Sequence, residues 1–302
     1  MPDISLRFHK DMLVLSSPVE PVLSRQGFDL DQGLEFASLI EPEAMRDALR
    51  LSALAGAQCI VTSTSGITPA RLAHRGMEDR GAELLDAALA AVREVSPQHV
   101  LVEVGPCGLP LDASSKNSLN EHRGQYARVA RLCAERSIDA VLLNGFRSPV
   151  DLKCALMGVR QAVDAPVFAS VDVDAEGVLA DGRSSLEDAL GVMADFGATV
   201  AGFATRAPLE QAEAFARRAC GLGELPVLAQ LVVAKDDPKQ GRPTPENPYY
   251  CPDALVDAGV RLRAAGAQFL RASGAATPAY TGALVAASEG FDVARRVQEQ
   301  KA

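Results

Sequence analysis

Ala55-Gly56-Ala57-Gln58-Cys59-Ile60-Val61-Thr62-Ser63 runs from the end of an amphipathic stretch into a short, β-branched apolar segment. Glycine in the second place suits the position just past a helix C-cap, where left-handed backbone is required. The apolar run that follows suits a buried strand. The phrase returns as Phe196-Gly197-Ala198-Thr199 and as Ala265-Gly266-Ala267-Gln268, each time ahead of another apolar run. It marks helix-to-strand junctions of βα units, not the period of a solenoid.

Working outward from these junctions, the spacing predicts strands at Met12–Leu15, Gln58–Ser63, Val100–Val104, Ala140–Leu143, Val167–Val173, Thr199–Phe203, Val227–Val232 and Gln268–Ala272. Helical periodicity falls between them at Glu43–Ala55, Ala82–Glu94, Leu119–Glu135, Val150–Val163, Leu186–Phe196, Leu209–Ala219 and Cys251–Ala265. Alternation of this kind implies right-handed βαβ crossovers and a parallel sheet. Eight such units make a (β/α)₈ barrel, which we expect to form a single domain over residues 1–302. Two segments break the pattern. Ser16–Glu41, with Pro18, Pro21, Gly27 and Gly33, reads as a long, partly helical loop. Ala234–Pro252 is polar and proline-rich and reads as an irregular loop over the barrel mouth.

The composition narrows the class. Of the 302 residues 48% are hydrophobic, enough for a large core, and the formal net charge is −9. An acidic chain without a basic stripe is a poor partner for nucleic acid. No run of apolar residues is long enough to span a membrane. The polar N-terminus, with Asp3, Arg7, His9 and Lys10, lacks the apolar core of a signal peptide, so we expect a cytoplasmic protein. Cys59, Cys107, Cys133, Cys154, Cys220 and Cys251 are scattered without CxxC spacing and read as free thiols. Cys107, Cys251 and His122 could share the mouth, but their spacing matches no metal motif. No GxGxxG, P-loop or catalytic-triad spacing is present.

Polar residues inside the strands need an explanation, because such barrels are filled with Val, Ile and Leu. They are Glu103, Asp172, Asp174, Gln230 and Arg271. Alternation places Glu103 on the face of Leu101, and Arg271 on the face of Ser273. One reading is an internal Glu103–Arg271 ion pair that fills the barrel. The other is a polar pocket in which Arg271 meets the carboxylate of an anionic or zwitterionic ligand. The hydroxyls of Thr62, Ser63 and Thr64 at the second strand's end suit either ligand binding or capping of the helix that follows. Arg147 and Lys153 read as solvated surface charges.

Pro42-Glu43 and Leu54–Gly66, with Gly105-Pro106, Ala201-Gly202-Phe203 and Thr277-Pro278, together resemble the homocysteine S-methyltransferase family, from Met12 to Gly290. The resemblance implies methyl transfer to homocysteine thiolate on a zinc ion held by three cysteines, from a methylcorrinoid, betaine or S-methylmethionine. Carried over residue by residue, those cysteines fall on Thr205, Ser273 and Gly274. The family's Asp-Gly-x-Met-Gly falls on Ser16–Glu20, and its Glu-Thr on Asn144-Gly145. The last strand reads Arg271-Ala272-Ser273-Gly274-Ala275-Ala276-Thr277-Pro278 where the family reads Gly-Gly-Cys-Cys-Gly-x-Thr-Pro. Zinc is therefore not expected at these positions and no resident cofactor is predicted; a corrinoid or folate methyl donor remains compatible. We expect methyl transfer involving a small thiol, amine or corrinoid-bound methyl group, at a mouth lined by Thr62, Ser63, Thr64, Asn144, Asp172, Thr205, Arg271 and Ser273. The alternative is a non-catalytic barrel that binds an amino-acid-like ligand or a corrinoid carrier protein. A weaker third reading is a lyase using Asp172 or Glu103 with external Mg²⁺.

Overall fold

The computed structural model describes residues 3–28, 33–235, 237 and 239–299, with side chains to 288. Eight parallel strands close into a barrel in chain order. They are β1 (Leu13–Leu15), β2 (Cys59–Val61), β3 (His99–Val104), β4 (Ala140–Phe146), β5 (Val167–Val173), β6 (Val200–Thr205), β7 (Val227–Val233) and β8 (Ala267–Gly274). The helices are α1 (Glu20–Arg25), α2 (Leu34–Ile40), α3 (Pro42–Leu54), α4 (Pro69–Ala73), α5 (Gly81–Glu94), α6 (Lys116–Ala134), α7 (Pro149–Val159), α8 (Leu186–Asp195), α9 (Leu209–Gly221), α10 (Asp253–Ala264) and α11 (Pro278–Glu299). No described helix is long and apolar enough to cross a membrane.

The recurring junction phrase does what its glycine requires. Gly56, Gly197 and Gly266 have φ of 92°, 84° and 104°, the left-handed region open to glycine. The residue two places on has a second function. Gln58 Oε1 accepts the Val14 N–H at 2.8 Å, Thr199 Oγ1 accepts the Val167 N–H at 2.8 Å, and Gln268 Oε1 accepts the His9 N–H at 2.8 Å. Each phrase thus ends a helix and pins the backbone of a neighbouring strand or of the chain leading into it.

The first crossover, expected to be partly helical, holds α1 and α2; Pro21 stands in the first turn of α1, where a missing N–H costs nothing. The segment after β7 is irregular, as expected, with an isolated bridge between Thr244 and Asn247. Residues 29–32, 236 and 238 of these loops lie outside the described residues. The helix α11 is an addition to the predicted elements.

Two apolar layers hold the fold. The larger lies between strands and helices. The smaller fills the lower barrel with Leu13, Leu15, Leu101, Leu142, Phe168, Leu228 and Phe269. A 3₁₀ turn, Ile4–Arg7, closes the bottom; Ile4 is fully buried there and the Phe8 ring stacks edge-on against Phe168 and Phe269. Outside the barrel α6 and α7 approach closely at Gly158. A Cβ there would stand 2.5 Å from the Arg123 carbonyl oxygen and 2.9 Å from Tyr126 Cβ. Gly158→Ala should therefore destabilise the chain by about 1–3 kcal/mol, despite alanine's better helix propensity, as read by urea unfolding.

Candidate functional site

Strand alternation sets the layers of the barrel interior. Leu101, Leu142, Phe168, Leu228 and Phe269 belong to the apolar floor. Two residues further up each strand stand Glu103, Asn144, Ser170, Gln230 and Arg271. Polar side chains thus replace the aliphatic layer at the level where the strands end.

This polar layer is one hydrogen-bonded network. Arg271 Nη2 lies 3.0 Å from Glu103 Oε2, and Arg271 Nε donates to the Ser16 carbonyl at 3.1 Å. Asn144 Nδ2 donates to Glu103 Oε1 at 2.7 Å. Gln230 Nε2 donates to Asn144 Oδ1 and to Ser170 Oγ, both at 2.7 Å. Arg271 is 3% exposed and the Glu103 side chain 14%, so both charges are largely removed from water and compensated by each other. The ion-pair reading of Glu103 and Arg271 is the observed one, and both residues also line the cavity above.

That cavity, of about 860 Å³, opens at the C-terminal ends of the strands. Ser17 and Pro18 line one side, the β5–α8 segment the other, and Pro245 reaches over from the long loop after β7. The β5–α8 segment is held in a small hairpin by bridges from Val173 to Leu179 and from Val178 to Ser185. Asp172 lies on the wall, half-buried, with no hydrogen bond or ion pair among the described residues. Burial raises its pKa, and the Arg147 and Arg206 guanidinium groups pull partly the other way. Both arginines are exposed and line the rim. Asp172 is thus a half-buried carboxylate without a partner among the described residues, between two rim arginines, while the other cavity carboxylates outside the floor, Glu20 and Asp174, are exposed.

The expected mouth residues divide into two groups. Asn144, Asp172, Arg271 and Ser273 line the cavity with polar groups that belong to it or to its floor; Ser63 also lines it, but its Oγ donates to the Met45 sulfur at 3.8 Å. Thr62, Thr64 and Thr205 have their hydroxyls engaged elsewhere. Thr62 Oγ1 accepts the Glu103 N–H at 3.1 Å and stands 2.6 Å from Thr64 Oγ1, which donates to the Glu103 carbonyl at 2.7 Å. These two threonines prolong the pairing of β2 with β3 past the strand end. Thr64 is fully buried and lies outside the cavity lining. Thr205 lines the cavity, but its Oγ1 accepts the Ala207 N–H at 3.0 Å. Arg147, expected as a solvated charge, stands on the rim. Arg206 was legible only as the residue after Thr205, and Ser170 only through its place two residues before Asp172.

The family model for homocysteine S-methyltransferase matches residues 19–262. The chain belongs to the homocysteine S-methyltransferase family. Its fold is similar to that of the homocysteine methyltransferase MmuM from Escherichia coli, at 20% identity over 95% of this chain and 99% of that one. The TM-score is 0.76 for the metallated form and 0.77 for the oxidised form. A methyltransferase from Methanosarcina mazei is similar at 16% identity over 93% of this chain and 94% of that one, with a TM-score of 0.58. No curated protein matches the sequence.

Membership in the homocysteine S-methyltransferase family raises the question of its metal. At the three positions to which the family's cysteines were carried over, Thr205 offers a hydroxyl already engaged, Ser273 a neutral hydroxyl and Gly274 no side chain. Gly274 has φ of 67°, and a Cβ there would stand 2.6 Å from the Val233 carbonyl oxygen. Neither cysteine nor histidine lines the cavity among the described residues. This set does not fit a zinc–thiolate centre.

Removing one partner of the buried pair leaves the other charge uncompensated. Arg271→Ala should cost about 3–5 kcal/mol in urea unfolding, whereas the double replacement Arg271→Met with Glu103→Leu should recover most of that loss. Asp172 gives a pH signature. Its raised pKa in the folded state means that its ionisation opposes folding, so the opposing effect is absent at low pH and grows as pH rises through that pKa. Asp172→Asn should therefore melt above the wild type at pH 7, and the difference should shrink as the pH falls toward 4.

Proposed function

We propose that this chain transfers a methyl group between small molecules at the barrel mouth without a thiolate-bound zinc. The acceptor or donor would be a small thiol or amine, or a corrinoid- or folate-bound methyl group. The observation that carries this is the unpaired Asp172 above a floor whose other charges are already matched. In a family built for methyl transfer, it is a half-buried ionisable cavity group left free to act, whereas Glu20, Arg147 and Arg206 are exposed at the rim. An onium methyl donor, such as a sulfonium or quaternary ammonium, carries positive charge that a half-buried carboxylate attracts. The acceptor's lone pair attacks the methyl carbon, the bond from that carbon to the donor atom breaks, and its electron pair stays with the donor. A thiol or ammonium acceptor must also lose a proton. Asp172, with its pKa raised by burial, is suited to take it. Arg147 and Arg206 on the rim suit the carboxylate of an amino-acid-like substrate.

The second reading, a barrel that binds without turnover, is favoured by the Glu103–Arg271 pair, which closes the floor on itself and leaves no free cation there. One experiment separates them. Isotopically labelled S-methylmethionine, betaine, methylcobalamin and methyltetrahydrofolate are offered with homocysteine and small amines, and products are followed by mass spectrometry. Labelled product from the wild type, lowered by about 10²–10⁴-fold in Asp172→Asn, supports catalysis by this residue. A ligand that raises the melting temperature without any product supports the binding barrel. Turnover that disappears when metal is stripped from still-folded protein would overturn the zinc-independent reading.

A further inference from the structure

Away from the mouth, three side chains of matched chemistry meet where the β3–α6 loop passes between α6 and α7. A His122 ring nitrogen, the Cys107 sulfur and an Asp151 carboxylate oxygen all lie within 4.8 Å of one another. Cys107 and His122 are buried and Asp151 is half-buried. Cys251, grouped with Cys107 and His122 on the sequence alone, is not part of it.

The group is set in place by the fold. Tyr126 Oη accepts the Cys107 N–H at 3.0 Å and donates to Asp151 Oδ1 at 2.9 Å. Tyr126 lies where α6 meets Gly158 of α7, the closest approach of those helices described above. Loop, α6 and α7 therefore hold these donors in a fixed relation.

His122 supplies the second observation. Its Nδ1 lies 2.9 Å from the Ser118 carbonyl and its Nε2 lies 3.2 Å from the Leu109 carbonyl. A neutral imidazole carries one N–H, so it can satisfy only one of these carbonyls, and the other contact sets lone pair against lone pair. The shorter contact assigns the proton to Nδ1, an orientation common in metal-bound histidine, whose second nitrogen donates to a carbonyl. Nε2 then keeps a lone pair, and it is the nitrogen able to bind a cation once the Leu109 carbonyl, 3.2 Å away, turns aside.

Sulfur, imidazole and carboxylate are the donor set of zinc. Metal–ligand lengths of about 2.0–2.3 Å put neighbouring ligand atoms roughly 3.3–3.8 Å apart, which small side-chain rotations reach from the present spacing. Burial, with the Asp151 carboxylate beside it, holds the Cys107 thiol protonated in the absence of a cation, and the Leu109 N–H offsets this only in part. Cys154, on α7 one turn beyond Asp151, is a further thiol of the same region: burial first, then Asp151 and Cys107, push it up to about 11.

We propose that Cys107, His122 and Asp151 form a zinc site that clamps the β3–α6 loop to α6 and α7, separate from the barrel mouth. Binding transfers the Cys107 thiol proton to solvent, leaving thiolate, neutral His122 Nε2 and carboxylate on the ion.

The test uses full-length protein stripped of metal and titrated with Zn²⁺ against a chelating dye, and with Co²⁺ for spectroscopy. One equivalent should bind, the melting temperature should rise with Zn²⁺, and the Co²⁺ form should show a sulfur-to-cobalt charge-transfer band with tetrahedral ligand-field bands. Cys107→Ser should abolish the charge-transfer band, and His122→Gln and Asp151→Asn should each weaken zinc by at least about tenfold. Cys251→Ser should change neither. The wild-type cobalt spectrum reports the sulfur ligand even where a variant folds poorly. Failure to bind one equivalent, a cobalt spectrum without a sulfur band, or a band that survives Cys107→Ser would overturn the proposal. So would nitrogen NMR showing His122 as an imidazolium that does not respond to zinc.

Discussion

The ion pair between Arg271 and Glu103 decides what the inside of this barrel can be. A guanidinium and a carboxylate taken from water together each cost several kcal/mol in lost hydration, and their attraction repays this only when the remaining hydrogen-bonding capacity is met. Here it is met through Asn144 and the Ser16 carbonyl, and Gln230 then joins Asn144 to Ser170. One buried arginine therefore bears on the residue types of β3, β4, β5 and β7, while at the end of β1 it needs only the Ser16 backbone carbonyl. The carry-over places Arg271 on a glycine of the family's last strand. A side chain of that size occupies space that a glycine would leave open, and it brings a counter-charge with it.

The floor and the Cys107 group share one strand. Glu103 stands on β3, and four residues later the chain delivers Cys107 to α6 and α7. The turn between them is tight: a Cβ on Gly105 would stand 2.9 Å from the Ser65 carbonyl oxygen. Whatever orders the Cys107 end therefore acts on a backbone with little slack before it reaches the cavity floor. The threonines of the β2 end pull in the same direction, since both of their hydroxyls meet the backbone of Glu103.

Much of this was readable in the chain because local rules decide it. Glycines at Gly56, Gly197 and Gly266 announced helix ends that the backbone angles bear out. Alternation placed Leu101 with Glu103, and the same face carries both in the barrel. Other features lay beyond local rules. Whether a threonine hydroxyl faces a ligand or a neighbouring backbone depends on strand register, so Thr64 and Thr205 could not be told apart from Ser273 by sequence. Cys107, His122 and Asp151 follow no motif spacing, and the crossover connections alone bring them together. The helix at Pro278–Glu299 had its pattern in plain view beyond the Thr-Pro pair.

The Ile4–Arg7 turn and Phe8 have a kinetic meaning. They cap the lower barrel that Phe168 and Phe269 pack, so among the described residues the cavity opens only at the C-terminal ends of the strands. A ligand therefore cannot thread the barrel from one end to the other. For the methyl transfer proposed above, the nucleophile, methyl carbon and leaving atom would have to be brought into line within that one chamber, with both substrates admitted from the same side.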